Sequence, residues 1–187
     1  MASPSHTTVT RPVRLGPEHV VEYRALMLEA YDLHPDAFTS SLTDRAPLPL
    51  MWWERRLAGG EDASNVVFGA FVDDVLAGVA GLSFDTREKV RHKATLFGMY
   101  VPEKHGRQGL GRSLVHAALD MARTHPGTLL VQLTVTEGNV PAQRLYESCG
   151  FVAFGVEPMA IRAGRGFVSK VHMWRDLGSP PQVYPAA

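Results

Sequence analysis

Between Tyr100 and Leu114 the chain reads Tyr-Val-Pro-Glu-Lys-His-Gly-Arg-Gln-Gly-Leu-Gly-Arg-Ser-Leu. An apolar, β-rich run ends here in a glycine-rich turn, and the turn opens a stretch of helical period. The first amides of a helix have no partner inside it, so they point along the axis and favour an anion. Gly106, Gly109 and Gly111 lack a Cβ and allow close approach of that backbone to a pyrophosphate, while Arg107 and Arg112 add positive charge. The same strand–turn–helix also serves as a plain tight connection. No Gly-Lys-Ser/Thr follows, which excludes a P-loop, and the six-residue dinucleotide fingerprint is incomplete.

A second stretch, Asn139-Val-Pro-Ala-Gln-Arg-Leu-Tyr-Glu-Ser-Cys-Gly-Phe151, follows a nearly unbroken apolar, β-branched run from Thr128 to Thr136. Asn-x-x-Ala-x-x-Leu-Tyr-x-x-x-Gly-Phe is a signature of the GCN5-related N-acetyltransferases. It is matched at Asn139, Ala142, Leu145, Tyr146, Gly150 and Phe151. With the glycine turn at the expected distance before it, the chain resembles that family from Thr8 to Leu177 in element order, most sharply from Leu96 to Phe151. The resemblance implies a transferase that moves an acetyl group from acetyl-coenzyme A to a primary amine of a small molecule. It implies that backbone around Met99, Tyr100 and Val101 splays from the next strand and binds the pantetheine arm. The turn Gly106, Arg107, Gln108, Gly109, Leu110, Gly111 and Arg112 then holds the pyrophosphate. Asn139 and Ala142 belong to the cofactor arm's contacts, and Tyr146 lies near the thioester sulfur as general acid. Phe38, Trp53 and His172 are expected at the acceptor pocket, and no metal is expected. The family turn usually reads Gln/Arg-x-x-Gly-x-Gly/Ala. Here its first position falls on Gly106 and the turn looks one residue longer, so Arg107 or His105 is left to supply the missing side chain.

The chemistry is consistent with these residue types. A tyrosine, with a reference pKa near ~10, is protonated at neutral pH and can donate to a leaving thiolate. A lysine-like amine is neutral for less than about 0.1% of the time at pH 7, so a base, a water relay or a desolvating pocket must help. The sequence does not identify the base. Plainer roles stand beside these. Tyr146 also suits a core position, and Asn139 suits the N-cap of a helix opened by Pro141. Cys149 reads as a small buried apolar residue, and Trp52 and Trp53 cannot both face a core easily. Two other functions stay open: acetylation of a protein N-terminus or lysine, and acyl-coenzyme A binding without turnover.

The elements that must position these residues follow from hydropathy and turn chemistry. Strands are expected over Thr8–Leu15, Val66–Val72, Val75–Phe84, Ala94–Val101, Thr128–Thr136, Phe151–Val156 and Phe167–Trp174. Asp73-Asp74 makes the turn of a hairpin. Gly78 and Gly81 mark a bulge or a close backbone approach. Helices are expected from Gly16-Pro17 to before Pro35, over Leu48–Leu57, over Gly109–Thr124 and over Pro141–Cys149. The result is an α/β (α+β) single domain over 8–177, a mixed sheet of about seven strands flanked by about four helices, with a central parallel pair. Residues 1–7 and 178–187 carry no core pattern and are expected to be disordered.

Composition sets the outer limits. The 187 residues are 45% apolar and include 19 basic and 19 acidic side chains. The zero formal charge implies no broad attraction to nucleic acid or membrane, although it allows a local patch. One cysteine excludes an intrachain disulfide and fits a reducing compartment. With no apolar run of membrane-spanning length and no signal-like N-terminus, a cytoplasmic protein is expected, and a homodimer is left open.

Overall fold

The computed structural model describes residues 11–60 and 64–178. One seven-stranded sheet runs in the order β1-β2-β3-β4-β5-β7-β6. Its strands are β1 (Val13–Arg14), β2 (Asn65–Val72), β3 (Val75–Phe84), β4 (Lys93–Tyr100), β5 (Leu130–Thr136), β6 (Val152–Ala163) and β7 (Gly166–Asp176). The helices are α1 (Val20–Leu33), α2 (Leu42–Arg45), α3 (Leu50–Leu57), α4 (Leu110–Thr124) and α5 (Val140–Ser148). The mixed α/β sheet expected from the sequence is therefore present, and β4 and β5 are its parallel pair.

Three boundaries differ from expectation. Of the first strand, only Val13–Arg14 pairs, against Gly69 and Phe68, and its start lies outside the described residues, as do 1–7 and 179–187. A fifth helix, α2, occupies a stretch for which the sequence predicts no element. Ser41 caps it by accepting from the Asp44 amide, and the Asp44 carboxylate accepts from the Ser41 amide. This short capping box was legible as Ser-x-x-Asp. The last hairpin is longer than expected, because β6 continues past Pro158 to Ala163 through a register shift between Glu157 and Ile161, with Met159 at φ 53°. A proline and a left-handed residue there look like a strand end, but on an edge strand they make a bulge.

The sheet separates two cores. One face, with Val66, Phe68, Ala80, Leu82, Leu96, Val131 and Leu133, packs against Leu110, Leu114, Val115, Ala118 and Leu119 of α4. The other, with Val67, Leu76 and Val79, packs against Tyr23, Met27 and Ala30 of α1 and Trp53 and Leu57 of α3. Alternation along β2 and β3 sends successive side chains to opposite cores, as strand geometry requires. Asp73 and Asp74 both have positive φ, 49° and 63°, the conformation of a two-residue turn matched to strand twist. No helix among the described residues is long and apolar enough to cross a membrane.

Candidate active site

The site begins at a fault in the sheet. β4 and β5 pair only over Lys93–Thr95 and Leu130–Gln132, yet β4 continues to Tyr100 and β5 to Thr136. The strands part after Thr95, and farther along β4 gains a residue. Val79 and Gly81 on β3 face Tyr100 and Phe97, so Ala80 alone stands opposite Gly98 and Met99. Gly98 takes φ 56°, a left-handed conformation that glycine adopts without steric cost. The glycines singled out in β3 do a different job. A Cβ on Gly81 would sit 2.4 Å from the Phe97 ring, and one on Gly78 would sit 2.9 Å from Val101 Cγ2. They allow β4 to lie close, while Gly98 bends it.

A cavity of about 560 Å³ runs from the parted end of β4 to the start of α4. Its lining brings together Met99, Tyr100, Val101, Gly106, Arg107, Gly109, Leu110, Gly111, Arg112, Asn139, Ala142 and Tyr146, all expected from the sequence, whereas Gln108 does not line it. At the turn, Arg107 has φ 60° and Gly109, the N-cap of α4, has φ 78°. These left-handed residues re-aim the neighbouring amides, and the first turn of α4, which has no side-chain cap, adds its own. Gly106 follows a 3₁₀ turn, Glu103–His105. A Cβ there would lie 2.9 Å from the Glu103 carbonyl oxygen. Neither Arg107 nor Arg112 has a carboxylate partner among the described residues.

The second signature has a compact physical meaning. Asn139 Oδ1 accepts from the Ala142 amide at 3.2 Å, so it caps α5 while also lining the cavity. At the other end, Phe151 N–H donates to the Tyr146 carbonyl and Gly150 N–H to that of Glu147. Gly150 has φ 83°, and the Phe151 ring packs edge-on to Tyr146 at 6.0 Å. This is a Schellman closure with its hydrophobic contact. Asn139 starts a nine-residue helix, Gly150-Phe151 ends it, and Tyr146 is thereby fixed at its last turn.

Tyr146 is 9% exposed, and its hydroxyl lies 3.5 Å from the Met99 sulfur. Burial, with a smaller contribution from Cys149, pushes its pKa up to about 12. The hydroxyl thus holds its proton and already points at a sulfur. Tyr100, in the same cavity, donates to Glu29 Oε1 at 3.0 Å and is likewise pushed up to about 12 by burial and that carboxylate.

Tyr146, Met99, Ala37 and Phe38 also line a second cavity of about 360 Å³, set between the parted strands and bounded by Gln132, Leu133, Thr134, Lys170 and His172. The loop carrying Phe38 is fastened over it, because Thr136 Oγ1 donates to the Asp36 carbonyl at 2.6 Å and Lys170 Nζ to that of Ala37 at 3.2 Å. Lys170 is 5% exposed, and burial lowers its pKa. His172 Nε2 lies 3.0 Å from Glu157 Oε2. Phe38 and His172 are therefore brought together and Trp53 is not. Trp53 is 0% exposed in the α1–α3 core, packed edge-on against Tyr23 and Trp52. The sequence had not pointed to Gly98, Glu29 or Lys170. Only Gly98, a glycine inside an apolar strand, carried a signal.

The acetyltransferase (GNAT) family model matches residues 27–151. The chain is 32% identical over 100 residues to the ribosomal protein bS18-alanine N-acetyltransferase of Salmonella typhimurium, covering 54% of this chain and 64% of that protein. It is 35% identical over 101 residues to the streptothricin acetyltransferase of Streptomyces lavendulae, covering 54% of this chain and 51% of that one. The matches thus span about half to two thirds of these relatives' length. Among solved structures, a GNAT-family acetyltransferase from Streptococcus pneumoniae superposes with a TM-score of 0.79 at 25% identity, over 91% of this chain and all of that one. YncA of Salmonella typhimurium, solved with its cofactor acetyl-CoA, gives a TM-score of 0.74 at 21% identity, over 98% and 99% of the two chains. From the parted strands, the glycine turn, the capped tyrosine helix and a family match over two thirds of its length, this chain belongs to the acetyltransferase (GNAT) family.

Proposed function

We propose that the protein is an N-acetyltransferase that moves an acetyl group from acetyl-coenzyme A directly to the primary amine of a small molecule. The observation that carries this reading is the placement of the Tyr146 hydroxyl where the two cavities share a wall, 3.5 Å from a sulfur. The residues of the first cavity fit the donor. Amides of the turn Gly106–Arg112, with Arg107 and Arg112 unpaired, suit a pyrophosphate. The unpaired edge of β4 around Met99 to Val101 suits an extended amide-bearing arm, which would add to it as a strand does. The thioester supplies an activated acetyl carbon.

Tyr146 gives its proton to the sulfur as the C–S bond breaks and the C–N bond forms. Its raised pKa keeps the proton on Tyr146 at neutral pH, available to hydrogen-bond the thiolate as it develops. The amine enters through the second cavity, bordered by Phe38 and His172. Its own proton must leave first. Lys170, buried there, disfavours a second cation, and His172, held by Glu157, is placed to take the proton.

The relatives' names, one acting on a ribosomal protein and one on an antibiotic, support an amine acceptor and disagree on its size. The fastened loop and the small second cavity favour a small molecule. Free-thiol release from acetyl-coenzyme A, measured against amines and against peptides with free N-termini, tests the reading. Release with small amines and not with peptides is the expected result. Thioester binding with no release against either set would reduce the protein to a binding module.

A further inference from the structure

A third cavity of about 290 Å³ shares Phe38, Thr39, Phe97 and Gly98 with the second. Arg45, the last residue of α2, and Arg56, in the last turn of α3, both line it. Their guanidinium carbons sit 4.5 and 4.6 Å from the Trp52 ring centroid, and that of Arg56 lies 5.2 Å from the Phe97 ring. Trp52 in turn packs edge-on against buried Trp53 at 5.1 Å. These contacts hold the two cations without neutralising them, since a ring face leaves the in-plane N–H fork of an arginine free.

No carboxylate of the described residues lies within 4.0 Å of either group. Asp44, next to Arg45 in sequence, is taken up by the Ser41 amide and hydroxyl. Arg45 gives one N–H to Ser40 Oγ at 2.7 Å, and its buried Nε has no partner. Two half-buried arginines with no carboxylate partner among the described residues, beside one small cavity, are costly to desolvate unless an anion shares the site. The groups that partner them are neutral, since the Tyr23 hydroxyl hydrogen-bonds Arg56 and that of Tyr31 hydrogen-bonds Arg45. Tyr23 and Tyr31 line the cavity and keep their protons because burial raises their pKa.

We infer that this cavity binds a carboxylate carried by the acceptor, so that the preferred substrates are amines bearing their own negative charge rather than polyamines. The inference rests on the amine-acetylating reading above. The cavity adjoins the one through which the amine enters, and Lys170 adds a third cation along the way. A polycationic acceptor would meet three like charges, and an amino acid would meet complementary ones.

Binding and turnover are read separately to test this. The coenzyme A-loaded protein is titrated by calorimetry with N-acetylglycine, N-acetylphenylalanine and N-acetylglutamate, and with the corresponding amides. At least one acid should bind tighter than its amide by about ten- to a hundredfold, the worth of a charge-assisted hydrogen bond. Arg45→Gln and Arg56→Gln should each remove most of that preference. Asn65→Asp, which sets a carboxylate in the same cavity, should abolish it. Unchanged coenzyme A affinity identifies the variants that are folded, and Asn65→Asp supplies the test if an arginine variant is not. If no acid is preferred over its amide, or if the preference survives these changes, the inference is overturned. If the preference holds but the parent amino acids release no thiol from acetyl-coenzyme A, the carboxylate site stands and the acetyl-transfer reading falls.

Discussion

The glycine turn before α4 and the arginine-lined cavity beside α3 are both suited to anions, but they are made of different material. The turn uses main-chain amides within seven consecutive residues, Gly106 to Arg112, and its requirements are conformational. The cavity uses side chains from Tyr23, Arg45, Arg56 and Ser83, which come together only when helices and sheet pack. A backbone site constrains residue types at fixed spacing, because glycine takes a left-handed or crowded position at the least steric cost. A side-chain site constrains nothing local, so it can change with the acceptor while the turn stays the same.

The largest effect should come where the two halves meet. Tyr146→Phe should slow the chemical step by about 10²–10⁴-fold in single-turnover measurements and leave coenzyme A affinity nearly unchanged. In the parent, the tyrosine pKa is raised to about 12, so its proton is retained as pH rises through the neutral and mildly alkaline range. The single-turnover rate should therefore show no loss attributable to this group below about pH 11. A twofold effect of the substitution would return Tyr146 to a packing role.

Trp53→Ala should come next, because it empties a fully buried site behind Trp52. Denaturant melts should show a loss of about 3–5 kcal/mol. In the fraction that stays folded, acceptor binding should weaken more than coenzyme A binding, since Trp52 and its two arginines lose their support. Equal weakening of both would mean that the two halves are not independent.

Gly109→Ala sharpens the opposite side. A Cβ there meets nothing within 4 Å, so its cost is the left-handed backbone alone, about 1–2 kcal/mol. Calorimetry should show weaker coenzyme A binding with acceptor-product binding unaltered. The smallest change should be that of Asn139→Ala, about 1 kcal/mol of stability from the lost cap.

The cofactor half was readable in advance because its signature residues have local jobs. Asn139 caps, Gly150 turns and Phe151 closes on Tyr146, so helix α5 is specified end to end within 13 residues of sequence. The strands followed from their apolar, β-branched runs, apart from β6, where Pro158 and Met159 imitate an ending. The acceptor half was not readable to the same degree. Phe38 and His172 do line one cavity, but the choice between Trp52 and Trp53 depends on how α3 rolls against α1, and no local pattern fixes that angle. Lys170 looked like one more strand residue until the loop at Ala37 closed over it.

The parted strands β4 and β5 tie ligand occupancy to the integrity of the whole domain. They join over only three residue pairs, so the sheet's two halves meet through a short seam. On the proposed reading, a donor molecule along the open edge of β4 would bind the folded chain alone. By mass action its concentration then sets the melting point, adding about 2.7 kcal/mol at a hundredfold excess over Kd. The same binding that positions the donor would therefore also hold the two halves of the sheet together.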